Sequence, residues 1–476
     1  MTEFDVQSYA TDGRLLDELR AAWPPTEATD TPAGEQPGYV RAGLAGLSPV
    51  GAVRLSDRFA AALAEDPAAE AGAFVVVPVV RDDAWRRARP GDGLSAFVAG
   101  VPMASERAVG VDQTHDSVVV GERAIIKWFR TVGPEPSRAA TLIAHLAAAG
   151  SGARSSGERS LRVDRRSGAA RLLDDRGGDS GSASERHRGA LTSRAPRSQD
   201  ENGDTDRRRR TRYGIPRPLG SLVWLSPTGV ELTLAQGDEF LAGARDGWEW
   251  CVEGVPDDAS IGADLGRLVD WLHTSLATPS SVIEQPVLAA GARLVAGWHE
   301  QAARTVEQAL AADVDGALTP MAEELRGAVT AIASNEAIAI QPVHGDLHVG
   351  QVLEWSGGLA VIDFDGNPTL GGEANVIRQP RERDISQMLL SIDHVGRVVD
   401  ERAGGRGTAE VARWIAAARA SFLDAIRPVD VELLAAFEVE QECRELVYAA
   451  RHLPRWRYAP MGVLRSWYGR HDKETW

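Results

Sequence analysis

A strand–turn–strand closed at each end by a polar loop restricts this chain more than any other feature. Residues 341–355 read QPVHGDLHVGQVLEW, and residues 359–372 read LAVIDFDGNPTLGG. The runs on either side of Ser356-Gly357-Gly358 predict a hairpin. The loop that enters it and the loop that leaves it then lie at the same end. Gln351 and Asp363 are thereby brought to one point, with Asp346 five residues before Gln351. Phosphoryl transfer from a nucleoside triphosphate needs such a set: one carboxylate to orient the acceptor hydroxyl, and an amide plus a second carboxylate to hold Mg2+. Asp346 is the candidate catalytic base, with Gln351 and Asp363 as the candidate metal ligands.

The rest of the chain fits around that hairpin as a β-rich half followed by a helical half, which predicts a two-lobed α+β protein. The first hundred residues hold a helical start at 14–23 and the run FVVVPVV at 74–80, read as a small α+β cap (1–100). In 115–130 two β-rich runs flank Gly121-Glu122, a second hairpin, and Ser137 caps the helical pattern RAATLIAHLAAA. Strands are expected in GIPRPLGSLVWL and VELTLAQGDEF, closing an N-lobe over 101–240. Helices follow from Ile261 to Val329 and at 384–395, 408–425 and 431–452, within a C-lobe over 241–476.

Residues 151–212 stand apart, with sixteen arginines, ten carboxylates and no Phe, Trp or Tyr. Such a composition buries too little apolar surface to offset chain entropy, so disorder is expected. Its acids are interspersed among the arginines, which favours a solvated insert over a nucleic-acid-binding tail. The formal charge of −16 argues against nucleic acid or an anionic membrane as the main partner. Two distant cysteines exclude a disulfide framework. The acidic N-terminus is no signal peptide, and no apolar run approaches the roughly 18–20 residues that span a bilayer. A soluble, cytoplasmic monomer acting on small molecules is expected.

A phosphotransfer site also needs a cation for the nucleotide phosphates on an upstream strand. AIIKWFR supplies Lys127 inside an apolar run, where an unpaired lysine is costly; the protein-kinase counterpart is V-A-I-K. The order lysine strand, helix, strands, HxD loop, DFx loop is far more specific than any one piece. With DQTHDSVVVGERAIIKWFR, GARDGWEW, HGDLHVGQVL, VIDFDGNP and EQECRELVYAARHLPRWRYAP, the chain resembles the aminoglycoside phosphotransferase/kinase-like superfamily. Within it, the match is to the bacterial maltokinase and glucosamine kinase group. The resemblance spans nearly all of the chain outside 151–212.

That resemblance implies a protein-kinase-like fold and an ATP- and Mg2+-dependent sugar kinase. Gln351 stands where the wider superfamily has Asn, and DFDGNP and WRYAP replace the maltokinase pattern, which points to glucosamine as acceptor and glucosamine 6-phosphate as product. It also implies a nucleotide loop over 112–117, including Ser117. In the helix 431–452, Gln441, Arg444, Glu445 and Tyr448 share one face at i, i+3, i+4 and i+7. A carboxylate, an amide and a flat ring there suit an amino sugar, with Glu445 and Asp365 for the amine and Trp456 and Tyr458 as a wall.

His344 is read as bonding loop backbone, His348 as facing the acceptor, and Asp384 as a helix N-cap. The helix after Lys127 carries no acid, so the usual lysine clamp lacks its partner; Glu135, between two prolines, is the nearest. Three alternatives stay open: a maltokinase forming maltose 1-phosphate, a nucleotide-binding pseudokinase, and a metallophosphoesterase, whose GNH motif is broken by Pro368.

Overall fold

The structure is a computed structural model that describes residues 7–23, 47–66, 73–109, 115–133, 136–152, 212–334, 338–367, 377–426 and 428–469. All but the edges of the Arg/Ser-rich segment 151–212 lies outside the described residues, as do 110–114, Glu135 and Pro368.

Six strands form the main N-lobe sheet, in the order Gln7–Tyr9, Pro218–Leu225, Glu231–Glu239, Ala124–Phe129, His115–Val120, Glu106–Ala108. The predicted hairpin pairs Val120 with Ala124 across a turn in which Gly121 and Glu122 take φ of 56° and 52°. Two successive positive-φ residues give the turn the twist that antiparallel strands require. Side chains alternate along the second strand: Ala124, Ile126 and Trp128 enter the core, which leaves Ile125 and Lys127 on the other face.

The first hundred residues add a second sheet of strands Ser48–Arg54, Phe59–Glu65, Phe74–Arg81 and Trp85–Arg87, which Thr131–Val132 joins at Phe74–Arg81. The middle strand of this sheet, FAAALAE, sends Ala61 and Leu63 into a core shared with Val118, Ile126, Leu222 and Leu234. Its alternate residues Ala60 and Ala62 meet Leu15, Leu16 and Leu19 of helix Gly13–Ala21. The sheet is therefore covered on both faces, and its inner face is continuous with the core of the N-lobe.

From Gly247 onward the described chain is mostly helical. Helices Ile261–Leu276, Glu382–Arg402 and Thr408–Ala425 surround one core, and Ala292–Ala312, Val431–His452 and Tyr458–Tyr468 enclose another. The central hairpin pairs Val352–Trp355 with Gly358–Val361, and Arg245–Asp246 extends it on one side. Helix Gly247–Gly254 then starts hard against the entering loop. A Cβ on Gly247 would fall 1.8 Å from the Val349 carbonyl oxygen, so only glycine permits the approach. Among the described residues no helix is long and apolar enough to cross a membrane.

Candidate active site

The two loops at the ends of the hairpin meet below the lysine strand. Lys127 Nζ donates to Asp363 Oδ1 at 2.6 Å and to Asp365 Oδ2, and His115 Nε2 lies 3.2 Å from the same Asp365 oxygen. Burial alone would depress the Lys127 ammonium, but the charges of Asp365 and Asp363 override it and raise its pKa. Lys127 is thus charged and held by carboxylates of the DFD loop rather than by a helix glutamate. Asp365, which the sequence places at the sugar, lies here on the lysine. Ser117 is buried and faces Lys127 across the strand pair. Asp238, two residues past the strand partner of Lys127, is pushed up to about 6, mainly by burial.

Asp363 takes a left-handed backbone with φ of 64°. A non-glycine residue there is held against its preference, as happens where surrounding contacts fix a functional group. Gln351 Nε2 lies 3.4 Å from Asp363 Oδ2. Asp346 Oδ1 accepts from Asn367 Nδ2 at 3.0 Å. Burial, reinforced by the charges of Asp363 and Glu445 and opposed by His344 and Arg444, pushes the Asp346 carboxyl up to about 6. It is therefore ionised at neutral pH and has an affinity for protons suited to a general base.

The entering loop is held from two sides. His344 Nδ1 accepts from the Asp346 amide at 3.3 Å, so its Nε2–H donates to the Ile362 carbonyl at 2.9 Å. Burial lowers its pKa, in keeping with that neutral tautomer. His348 Nδ1 accepts from the Gly350 amide at 3.1 Å, and burial likewise lowers its pKa.

Asp384 corrects the sequence reading. The cap position of helix Glu382–Arg402 is Arg381, and Asp384 sits within the first turn, fully buried. It accepts from the amides of His344 and Gly345 at 2.8 Å each and from His273 Nε2 at 3.0 Å. One and two turns on, Gln387 Oε1 accepts from the Leu347 amide and Ser391 Oγ from the Val349 amide, both at 3.0 Å. A polar stripe at i, i+3 and i+7 on an otherwise apolar helix face was the signal available in the sequence.

On helix Val431–His452, Arg444 donates to Gln441 at 2.8 Å, and Gln441 donates to Glu445 at 3.2 Å. Glu445 also accepts from Trp456 Nε1 at 3.1 Å. Trp456 meets Tyr458 and Trp248 edge-on, with ring centroids 5.9 and 6.3 Å apart, and borders a cavity of about 430 Å³ together with Trp248, Val398 and Arg402. Gln441, Arg444, Glu445, Trp456 and Tyr458 are therefore brought together. Tyr448, one turn further along, is exposed and packs on His452 at 5.2 Å.

A lysine strand over two acidic loops, with a half-buried carboxyl of raised pKa beside them, defines a phosphotransferase of the two-lobed, kinase-like type. No protein-family model matches the chain. It is 33% identical over 437 residues to a glucosamine kinase of Streptacidiphilus jiangxiensis, covering 81% of this chain and 83% of that one. Over 434 residues it is 31% identical to a glucosamine kinase of Mycolicibacterium smegmatis, covering 82% and 92%. A solved glucosamine kinase in complex with glucosamine, ADP and inorganic phosphate superposes with a TM-score of 0.65 at 29% identity, covering 88% of this chain and 93% of that one. The chain belongs to the glucosamine kinase family.

Proposed function

We propose that this protein transfers the γ-phosphoryl group of ATP to D-glucosamine, giving glucosamine 6-phosphate. The observation that carries the reading is the convergence of Lys127, Asp363, Gln351 and Asp346 at one end of the hairpin, with Glu445 near enough to perturb Asp346. Asp346 takes the proton of the acceptor hydroxyl as it attacks, and Asn367 holds the carboxylate in place. Lys127 pairs with the nucleotide phosphates from the strand above, beside Ser117. Glu445 recognises the ammonium group, Gln441 and Arg444 orient that carboxylate, and Trp456 and Tyr458 wall the ring. His348 borders the acceptor, and Tyr448 completes the same helix face at its exposed end.

An amide and a half-exposed carboxylate on adjoining loops are hard oxygen donors, and they suit Mg2+, which keeps several waters and takes few protein ligands. Gln351 and Asp363 would hold it, and when bound it neutralises charge on the phosphates. We place the chain in the maltokinase-like branch on Gln351 in HGDLHVGQ, and the first hundred residues as a cap subdomain fused to an N-lobe over 101–240, above a C-lobe over 241–476. We take the protein to be a cytoplasmic monomer, in keeping with its two buried, free cysteines.

The maltokinase alternative is not favoured because the similar proteins are glucosamine kinases, and the pseudokinase alternative loses its support because Lys127 has carboxylate partners without a helix glutamate. A coupled ATP assay across amino sugars and disaccharides tests the proposal. Turnover is expected with glucosamine and Mg2+ and should vanish in Asp346→Ala; turnover of maltose without glucosamine refutes it.

A further inference from the structure

Helix Arg138–Gly152 follows directly on the lysine strand and its short extension, yet it packs on the other lobe. Ala139, Leu142 and Leu146 lie in the same core as Leu265, Leu268, Leu347 and Phe364. His145 binds the Leu276 carbonyl at 2.9 Å and the Ser280 hydroxyl at 2.7 Å. The helix contains no carboxylate to pair with Lys127. It contributes a cation instead. Arg138 Nη1 donates to the carbonyl oxygens of His344 at 2.7 Å and Phe364 at 2.8 Å, and Nη2 donates to that of Val343 at 2.6 Å. Its Nε is buried and makes no hydrogen bond, so the guanidinium is committed to those three carbonyls.

The acceptors flank the reacting groups. His344 is two residues before Asp346, and Phe364 directly follows Asp363. Gly345 has φ of 83°, and a Cβ there would come within 2.8 Å of Arg138 Nη2, so backbone and guanidinium are fitted to one another. Asp384 grips the same loop through its amides. A cation thus holds the carbonyls and an anion the N–H groups of one loop. A planar fork can bridge three carbonyls from two segments, which a single ammonium cannot do in the same geometry.

We infer that Arg138 is a positioning residue for phosphoryl transfer: it fixes the loop of the base Asp346 against the loop of Asp363, from a helix anchored in the C-lobe. The inference rests on the kinase reading above. It makes the helix a static strut, and it leaves the DFD loop to partner Lys127.

The test compares Arg138→Met and Arg138→Lys with the parent enzyme, each checked for folding by circular dichroism and tryptophan fluorescence. A misplacement of about 1 Å costs roughly 100-fold, so kcat should fall by about that factor in both, with KM for ATP and glucosamine changed less than about threefold. Hydrogen exchange should accelerate in peptides covering 343–351 and 361–366, a readout independent of turnover. Free methylguanidinium should partly restore kcat to a third variant, Arg138→Ala, whose truncated side chain leaves room for it. A folded variant with kcat within about threefold of the parent overturns the inference. So does failure of both variants to fold, which would make Arg138 a folding residue. A parent enzyme that phosphorylates no sugar overturns the kinase reading and this inference with it, whereas an active parent indifferent to Arg138→Met overturns this inference alone.

Discussion

Replacing Asp346 by Asn should make the protein more stable while disabling it. Burial, with the charges of Asp363 and Glu445, holds the folded carboxyl at about 6, against about 3.9 in an unfolded chain. A folded pKa above the unfolded one means that the native state binds the proton more tightly. This carboxyl therefore favours folding at low pH and loses that contribution as pH rises through 6. At pH 8 the charged form weighs against the fold by about two pK units at 1.36 kcal/mol each, on the order of 3 kcal/mol. Asn is neutral throughout, and its side-chain oxygen can still accept from Asn367. Melting is measured at pH 8 and pH 5 with EDTA and no nucleotide. At pH 8 Asp346→Asn should melt about 3 °C higher, at about 1 °C per kcal/mol for a chain of this length. At pH 5 the gain should shrink to about half, because the native carboxyl is then mostly protonated. Meanwhile kcat should fall by about 10²–10⁴, the usual contribution of a general base. A variant that melts lower at pH 8, or whose gain does not shrink at pH 5, refutes the reasoning about the buried charge.

Two further outcomes follow from the same geometry. Glu445→Gln removes a charge that raises Asp346, so the acid limb of kcat/KM, expected near pH 6 in the parent, should move to lower pH. KM for glucosamine should rise about 10–100-fold, the worth of one charged hydrogen bond, and steady-state kinetics from pH 5 to 8 read both. Asp384→Ala leaves two loop amides and His273 unpaired in the interior, at a cost of about 3–5 kcal/mol. Urea unfolding should report that loss, and turnover should fall with it because the loop carrying Asp346 loses its anchor.

The parts of the site that could be read in advance are those created by local chain geometry. Gln351 and Asp363 meet because eleven residues of hairpin separate them, and turn chemistry fixes that separation. Lys127 was visible as a charge interrupting an apolar strand. Helices Thr408–Ala425 and Val431–His452 run as their periodicity predicts, since amphipathic patterning is itself a local signal. What was not legible is long-range. Arg138 finds its three acceptors more than 200 residues away, and no pattern in RAATLIAHLAAA announces them. Asp365 meets Lys127 and His115 across more than 200 residues of sequence, whereas the sequence offered only its proximity to Asp363. Asp384 shows a local rule being overruled. An acid near a helix start ordinarily serves the helix, but here the amides of a neighbouring loop compete for the carboxylate and win.

The parallel pairing of Gln7–Tyr9 with Pro218–Leu225 also dictates an order of assembly during synthesis. The strand at one edge of the N-lobe emerges roughly 200 residues before its partner; at about 5–20 residues per second it waits some 10–40 s on the ribosome. During that interval the inner face of the FAAALAE sheet has no Leu222 or Leu234 to cover it. The stretch 151–212 falls within the interval and lengthens it. A chain released by a ribosome stalled before Pro218 should therefore be a chaperone substrate, and one released after Glu239 should hold a closed N-lobe core.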